Sequence, residues 1–242
     1  QQEIDKRRQF VYQQIIRFLQ ITETQLTHHP LQLKQIFYII DSKQTAFFNL
    51  LLELYDNTFF EGKIREYFCR NNCNISICWN NRCTKTAGFC KFKKKRGSKN
   101  STISIELSSN VLYNGIVSSE GKPLLNSGIP CRNILECLMI TFEHELIHAL
   151  IVCFCPEYDR TNVNSPGIYT GRTGPKSGHG ITFMSITNNI FGHMDFLHNL
   201  LSGSIMKPTN PDWNPYKNLK PGYLVEFKLS TRAKTTLSGK VL

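Results

Sequence analysis

With 242 residues, 40% of them hydrophobic and 11% aromatic, the chain can form one domain with a sizeable core plus a small appendage, and is too apolar to stay disordered. Its formal net charge of +11 makes a polyanion the natural partner, nucleic acid first and an anionic membrane second. No run approaches the roughly 20 apolar residues that span a bilayer, and the N-terminus QQEIDKRRQF lacks the apolar run and cleavage site of a signal peptide. A soluble protein of nucleus or cytoplasm without a membrane role is therefore expected, although the start at Gln1 is compatible with a trimmed leader.

From residue 1 to about 60, apolar residues recur at spacings of three and four (Phe10, Ile15, Phe18, Leu19, then Phe47, Leu50, Leu51, Leu54), which predicts two or three helices. Pro30 should break the first from the next, and Asp41 or Ser42 should cap a helix running to about Tyr55. Between 74 and 107 the runs ISICWN, TAGFCKF and STISIEL predict a small antiparallel sheet. Five of the nine cysteines, Cys69, Cys73, Cys78, Cys83 and Cys90, crowd into this region. The count is odd and no spacing is C-x2-C, so reduced thiols packed on strands are expected over disulfides or a second metal.

The last two strands are joined by a run holding Lys91, Lys93, Lys94, Lys95, Arg96 and Lys99 with no acidic residue, read as a basic hairpin tip for DNA phosphates. A helix from about Arg132 to Val152 follows, apolar enough to lie in the core. Residues 160 to 180 then form a glycine-rich loop, and residues 181 to 201 should return as a last core helix. Beyond residue 201 a Pro-rich linker leads to two strands, YLVEFKL and TTLSGKVL, in a basic tail.

The decisive string is HELIH. On a helix, His144 and His148 sit one turn apart on one face and can chelate one Zn2+, with Glu145 beside the fourth coordination position. A third protein ligand leaves a place for water, whose pKa the metal lowers toward about 7, and Glu145 can accept its proton and pass it to a leaving amine. Ile151 and Phe154 stand where metzincins need Gly and His, and Glu157 lies too near the helix end to be attractive. His179 in SGHG is the favoured third ligand, because its flanking glycines let the backbone approach the metal. The competitors His193 and His198 are five apart, on different faces of the last helix, and read as structural.

The ordered strings FFEGKI, CWNNR, TAGFC, ISIELSSNVL, HELIHAL and SGHGITF make the region from about 45 to 200 resemble the SprT-like zinc metalloproteases, the Spartan-like group among them. The resemblance implies zinc on His144, His148 and His179, general-base duty for Glu145, and a DNA-coupled protease that degrades proteins crosslinked to DNA. Thr86 stands where Spartan-like members often have Cys, Ser177 replaces an acidic residue before GHG, and GIVSSEGKPLLNSGIP is an insert before the active helix. The Asn-rich style would suit a virus or an AT-rich eukaryote.

The reading is thus an α+β zincin-like protease domain over residues 1 to 200, helices packed on a small antiparallel sheet, with a basic β segment over 201 to 242. Its partners are DNA, single-stranded or junction-containing, and proteins bound to it. The rivals are a zinc endopeptidase indifferent to DNA and a DNA-binding protein with structural zinc. Tyr169, Arg172 and Lys176 are oxyanion candidates on the loop.

Overall fold

The computed structural model describes residues 1–26, 29–94, 100–119, 123–154, 179, 181–195 and 200, and the backbone of 224–228 and 236–240. The chain is mixed α and β. Three helices open it: α1 (Gln2–Leu19), α2 (Pro30–Ser42) and α3 (Gln44–Phe60). Pro30 takes the first turn of α2, where its missing N–H costs nothing. Neither Asp41 nor Ser42 caps α3, contrary to expectation, because α2 runs through both and the Ser42 hydroxyl donates to the Ile39 carbonyl at 2.8 Å.

A short helix, α4 (Lys63–Arg70), was not legible from its eight residues. It starts where the buried Asp56 carboxylate of α3 accepts the backbone N–H groups of Ile64 at 2.9 Å and Arg65 at 3.1 Å, satisfying donors that a helix start leaves open.

Strands β1 (Cys73–Trp79), β2 (Gly88–Lys94) and β3 (Ser101–Leu107) form a sheet in the order β1-β3-β2. The hairpin β2–β3 is antiparallel, but β1 and β3 run parallel, which corrects the expected antiparallel sheet to a mixed one. Burial explains the order. Ile103, Ile105 and Leu107 of β3 are fully buried and take the centre, while β2, carrying Lys91, Lys93 and Lys94, stays at the edge, where charge is tolerated. Helix α5 (Ser109–Ser118) follows directly, with the Ser108 hydroxyl accepting Val111 N–H at 3.1 Å as its N-cap.

The segment before the HELIH helix forms a tiny hairpin, β4 (Leu124–Asn126) and β5 (Ile129–Cys131). Its two-residue turn uses Ser127 and Gly128, both at positive φ, and so has primed-turn geometry. Buried Asn126 hooks this hairpin to the next helix by donating to the Cys137 carbonyl at 3.0 Å and the Thr141 hydroxyl at 2.9 Å.

Helix α6 (Ile134–Phe154) crosses the sheet over β2 and β3, and every residue from 134 to 151 except Glu136 and His148 is buried. It starts two residues later than expected, where the Asn133 side chain accepts Glu136 N–H at 3.0 Å. At 21 residues with a mean hydropathy of 1.6 it is long and apolar enough to cross a bilayer, which corrects the expectation that no stretch is; here that apolarity packs the protein core. Helix α7 (Ile181–Phe191) packs on α6 and is shorter than expected, because Gly192 at φ 67° ends it in the left-handed conformation.

One buried ion cluster ties these helices together. Both oxygens of the Glu143 carboxylate, 0% exposed on α6, accept from Arg8 of α1, Nε at 2.8 Å and Nη2 at 2.9 Å. Oε1 also accepts from the Tyr55 hydroxyl of α3 at 2.7 Å, and Oε2 from His193 Nε2 at 2.7 Å. Arg8 donates as well to the carbonyl of Phe191, the last residue of α7. Burial alone would raise the Glu143 carboxyl, but the Arg8 guanidinium and the hydrogen bonds from His193 and Arg8 outweigh it and hold the group at about 2. Removing one partner from such a cluster costs about 3–5 kcal/mol, since the remaining charge is left buried and uncompensated.

In the tail, β6 (Leu224–Lys228) and β7 (Thr236–Lys240) pair antiparallel, near the two strands expected there. The Pro-rich linker and most of the loop from 160 to 180 lie outside the described residues. None of the eight described cysteines forms a disulfide, and the five of the crowded segment do not gather into a metal-binding group among the described residues.

Candidate metal centre

Helix geometry does most of the building. His144 and His148, four residues apart on α6, present their rings on one face with centroids 5.1 Å apart. His179 arrives two residues ahead of α7, and its Nε2 lies 2.8 Å from Nε2 of His144 and 3.0 Å from Nε2 of His148. The three residues form a group able to hold a metal ion, with ligand atoms all within 4.8 Å of one another. An ion bound tetrahedrally at about 2.0–2.1 Å keeps such nitrogens roughly 3.3 Å apart, so the spacing is of the right scale.

Phe183, on the first turn of α7 and 1% exposed, packs its ring at a tilt against all three imidazoles, with centroids 4.7 Å from His144, 4.5 Å from His148 and 4.6 Å from His179. Nothing in the sequence distinguished it from other core aromatics. Its place four residues after His179 is the one signal that could have found it.

The chemistry of this donor set fits a cation. Three imidazole nitrogens facing one another oppose their lone pairs unless a positive centre lies among them, since ring protons cannot satisfy every pair at once. Desolvation pushes the His148 imidazole down to about 4, which keeps it in the neutral form that ligates. Glu145, next along the helix and 3% exposed, has its carboxyl pushed up to about 8 by burial. Its Oε2 has no hydrogen-bond partner among the described residues, and a cation close by would supply the missing compensation.

Gly88, the first residue of β2, explains how α6 comes so close to the sheet. A Cβ built there would lie 2.9 Å from Cγ of Glu145 and 3.1 Å from Cδ2 of Leu107. Gly88→Ala must therefore displace the Glu145 side chain. We expect a destabilisation of about 1–3 kcal/mol from overpacking, read as a lower Tm, with metal content retained and any Glu145-dependent activity down at least tenfold.

The basic hairpin is only partly described. Lys91 and Lys93 are both exposed, and Lys91 is engaged, its Nζ 2.8 Å from Oε1 of Glu106 and 4.5 Å from the Phe89 ring centre. Lys94 closes the β2–β3 pairing opposite Ser101, and Lys95, Arg96 and Lys99 lie outside the described residues. So do Tyr169, Arg172, Lys176, Glu157 and His198. His193 is structural as expected, but for another reason: it sits beyond the end of α7 and serves Glu143. No protein-family model, no curated relative and no solved structure matches this chain.

Proposed function

We propose that this chain is a zinc-dependent endopeptidase of zincin-like architecture that cleaves proteins bound or crosslinked to DNA. One observation carries the reading: the HELIH helix and a histidine 31 residues further on converge their Nε2 atoms, with a buried glutamate next in line on the same helix. His144, His148 and His179 would hold the ion, and the nitrogen-only set suits zinc. When bound, zinc supplies Lewis acidity, lowering the pKa of water toward about 7 and polarising a carbonyl.

The rest is the work of this chain's own groups. Glu145 accepts a proton from the attacking water on its carboxylate, holds it there, and delivers it to the departing amine. Burial raises that carboxyl, and the positive charge of a bound ion would draw it back toward the ionised form that accepts the proton. Strand β2 is one of the two outer strands of its sheet and begins against Glu145. Its outward backbone edge suits an extended substrate segment adding as a further strand. A site with a purely structural ion has no use for a carboxylate beside it, which disfavours the DNA-binding protein with structural zinc.

The test is incubation of the protein with a DNA-binding protein, with and without single-stranded DNA, followed by analysis for fragments. Cleavage only with DNA supports the full reading, DNA-independent cleavage supports a peptidase indifferent to DNA, and no cleavage with zinc present sinks both.

The DNA part rests on the net charge of +11 and the basic hairpin. Changing Lys93, Lys94, Lys95 and Arg96 together to Ser should weaken binding to all sequences alike. If each meets a phosphate on a single strand, the slope of log affinity against log salt should flatten by up to about 3. Titrations by anisotropy at several salt concentrations measure this, with metal content as the control. Unchanged affinity and slope would reduce the hairpin to a solvated loop.

A further inference from the structure

We propose that Glu143 is a positioning residue of the metal centre: gripped by Arg8, Tyr55 and His193, it sets the register of α7 against α6 and so brings His179 to His144 and His148. The proposal rests on the metal-centre reading and adds to it residues on another face of the helix. Glu143 immediately precedes His144, so its side chain leaves α6 about 100° away, into the core and among groups that belong to other helices. It is not a catalytic group, since both its oxygens are already occupied by donors from α1, α3 and the end of α7.

The direction of the bonds matters more than their number. Arg8 uses one guanidinium to hold both the carboxylate of α6 and the carbonyl of Phe191, and His193 lies two residues beyond that carbonyl. The C-terminal end of α7 is thus locked to the middle of α6 by charge-assisted bonds of fixed direction. The other end of α7 carries Phe183 against the three imidazoles, and His179 lies just ahead of it. A helix of 11 residues behaves as a rod, so a slip of one residue at the locked end would carry His179 about 1.5 Å along it. Apolar packing alone tolerates such sliding far better than a bidentate ion pair does. An apolar cluster would fill the same space at no loss of stability, so register is what the charges add.

The experiment uses Co2+ alone as a spectroscopic probe on the full chain, with affinity from competition against a chelator and Tm from circular dichroism. Three variants are compared with the unaltered protein: an apolar replacement (Arg8→Met, Tyr55→Phe, Glu143→Leu and His193→Phe together), Tyr55→Phe alone, which removes one donor, and Arg8→Lys, which keeps the charge but loses the fork. The apolar variant should keep its Tm within a few degrees, yet bind Co2+ about 10- to 100-fold more weakly, with altered d–d bands. Arg8→Lys should fall in between, and Tyr55→Phe should lose a few-fold. A folded apolar variant with the affinity and spectrum of the unaltered protein overturns the proposal. If that variant does not fold, unaltered Co2+ affinity in both Tyr55→Phe and Arg8→Lys overturns it instead. Absence of Co2+ binding by the unaltered protein would overturn the metal-centre reading itself, a result distinguishable from the others.

Discussion

Glu145→Gln is expected to leave fold and metal content intact while abolishing proteolysis. The amide has nearly the same shape but cannot take up the proton of the attacking water, and general-base catalysis is worth about 10²- to 10⁴-fold. We therefore expect kcat/KM to fall by about 10²- to 10⁴-fold, or about 3–5 kcal/mol of transition-state stabilisation. Stability should move little. Burial already raises the Glu145 carboxyl to about 8 and leaves Oε2 without a partner among the described residues, so a neutral amide sits there at least as comfortably as a carboxylate in the metal-free protein. Fragment analysis on a DNA-bound substrate, metal analysis and a thermal melt check the three parts. Cleavage at the original rate in this variant would remove Glu145 from the mechanism and leave the water to be activated by another group.

His179→Ala is expected to cost most of the bound metal, as are His144→Ala and His148→Ala. If an apparent binding free energy of about 10 kcal/mol is shared by three ligands, each loss weakens binding by roughly 300-fold. His179 is the sharpest of the three tests, because it comes from outside the helix motif. The structure removes its competitor among the described histidines: His193 is 0% exposed and committed to Glu143 at 2.7 Å. Equilibrium dialysis with zinc, followed by metal analysis, reads the outcome. Full occupancy in His179→Ala would transfer the third ligand elsewhere, with Glu157 and His198 the next to examine.

What the sequence determined by itself was whatever depends on residues near one another in the chain. The pair His144 and His148 with Glu145 between them was legible because a helix turns a spacing of four into one face, and the apolar run around it announced a core helix. The three strands were legible from β-branched runs, and the α and β character followed. His179 was within reach only because glycines flank it in SGHG.

The tertiary structure decided everything that depends on which element meets which. Whether β1 pairs parallel or antiparallel turns on β3 winning the centre of the sheet by burial, a competition that no single strand records. Gly88 looked like any strand glycine until α6 placed Glu145 against it. Glu143 stood beside the motif in plain view, yet its partners Arg8 and His193 are 135 and 50 residues away in sequence. A buried charge is intelligible only together with the groups that neutralise it, and folding alone brings those groups together.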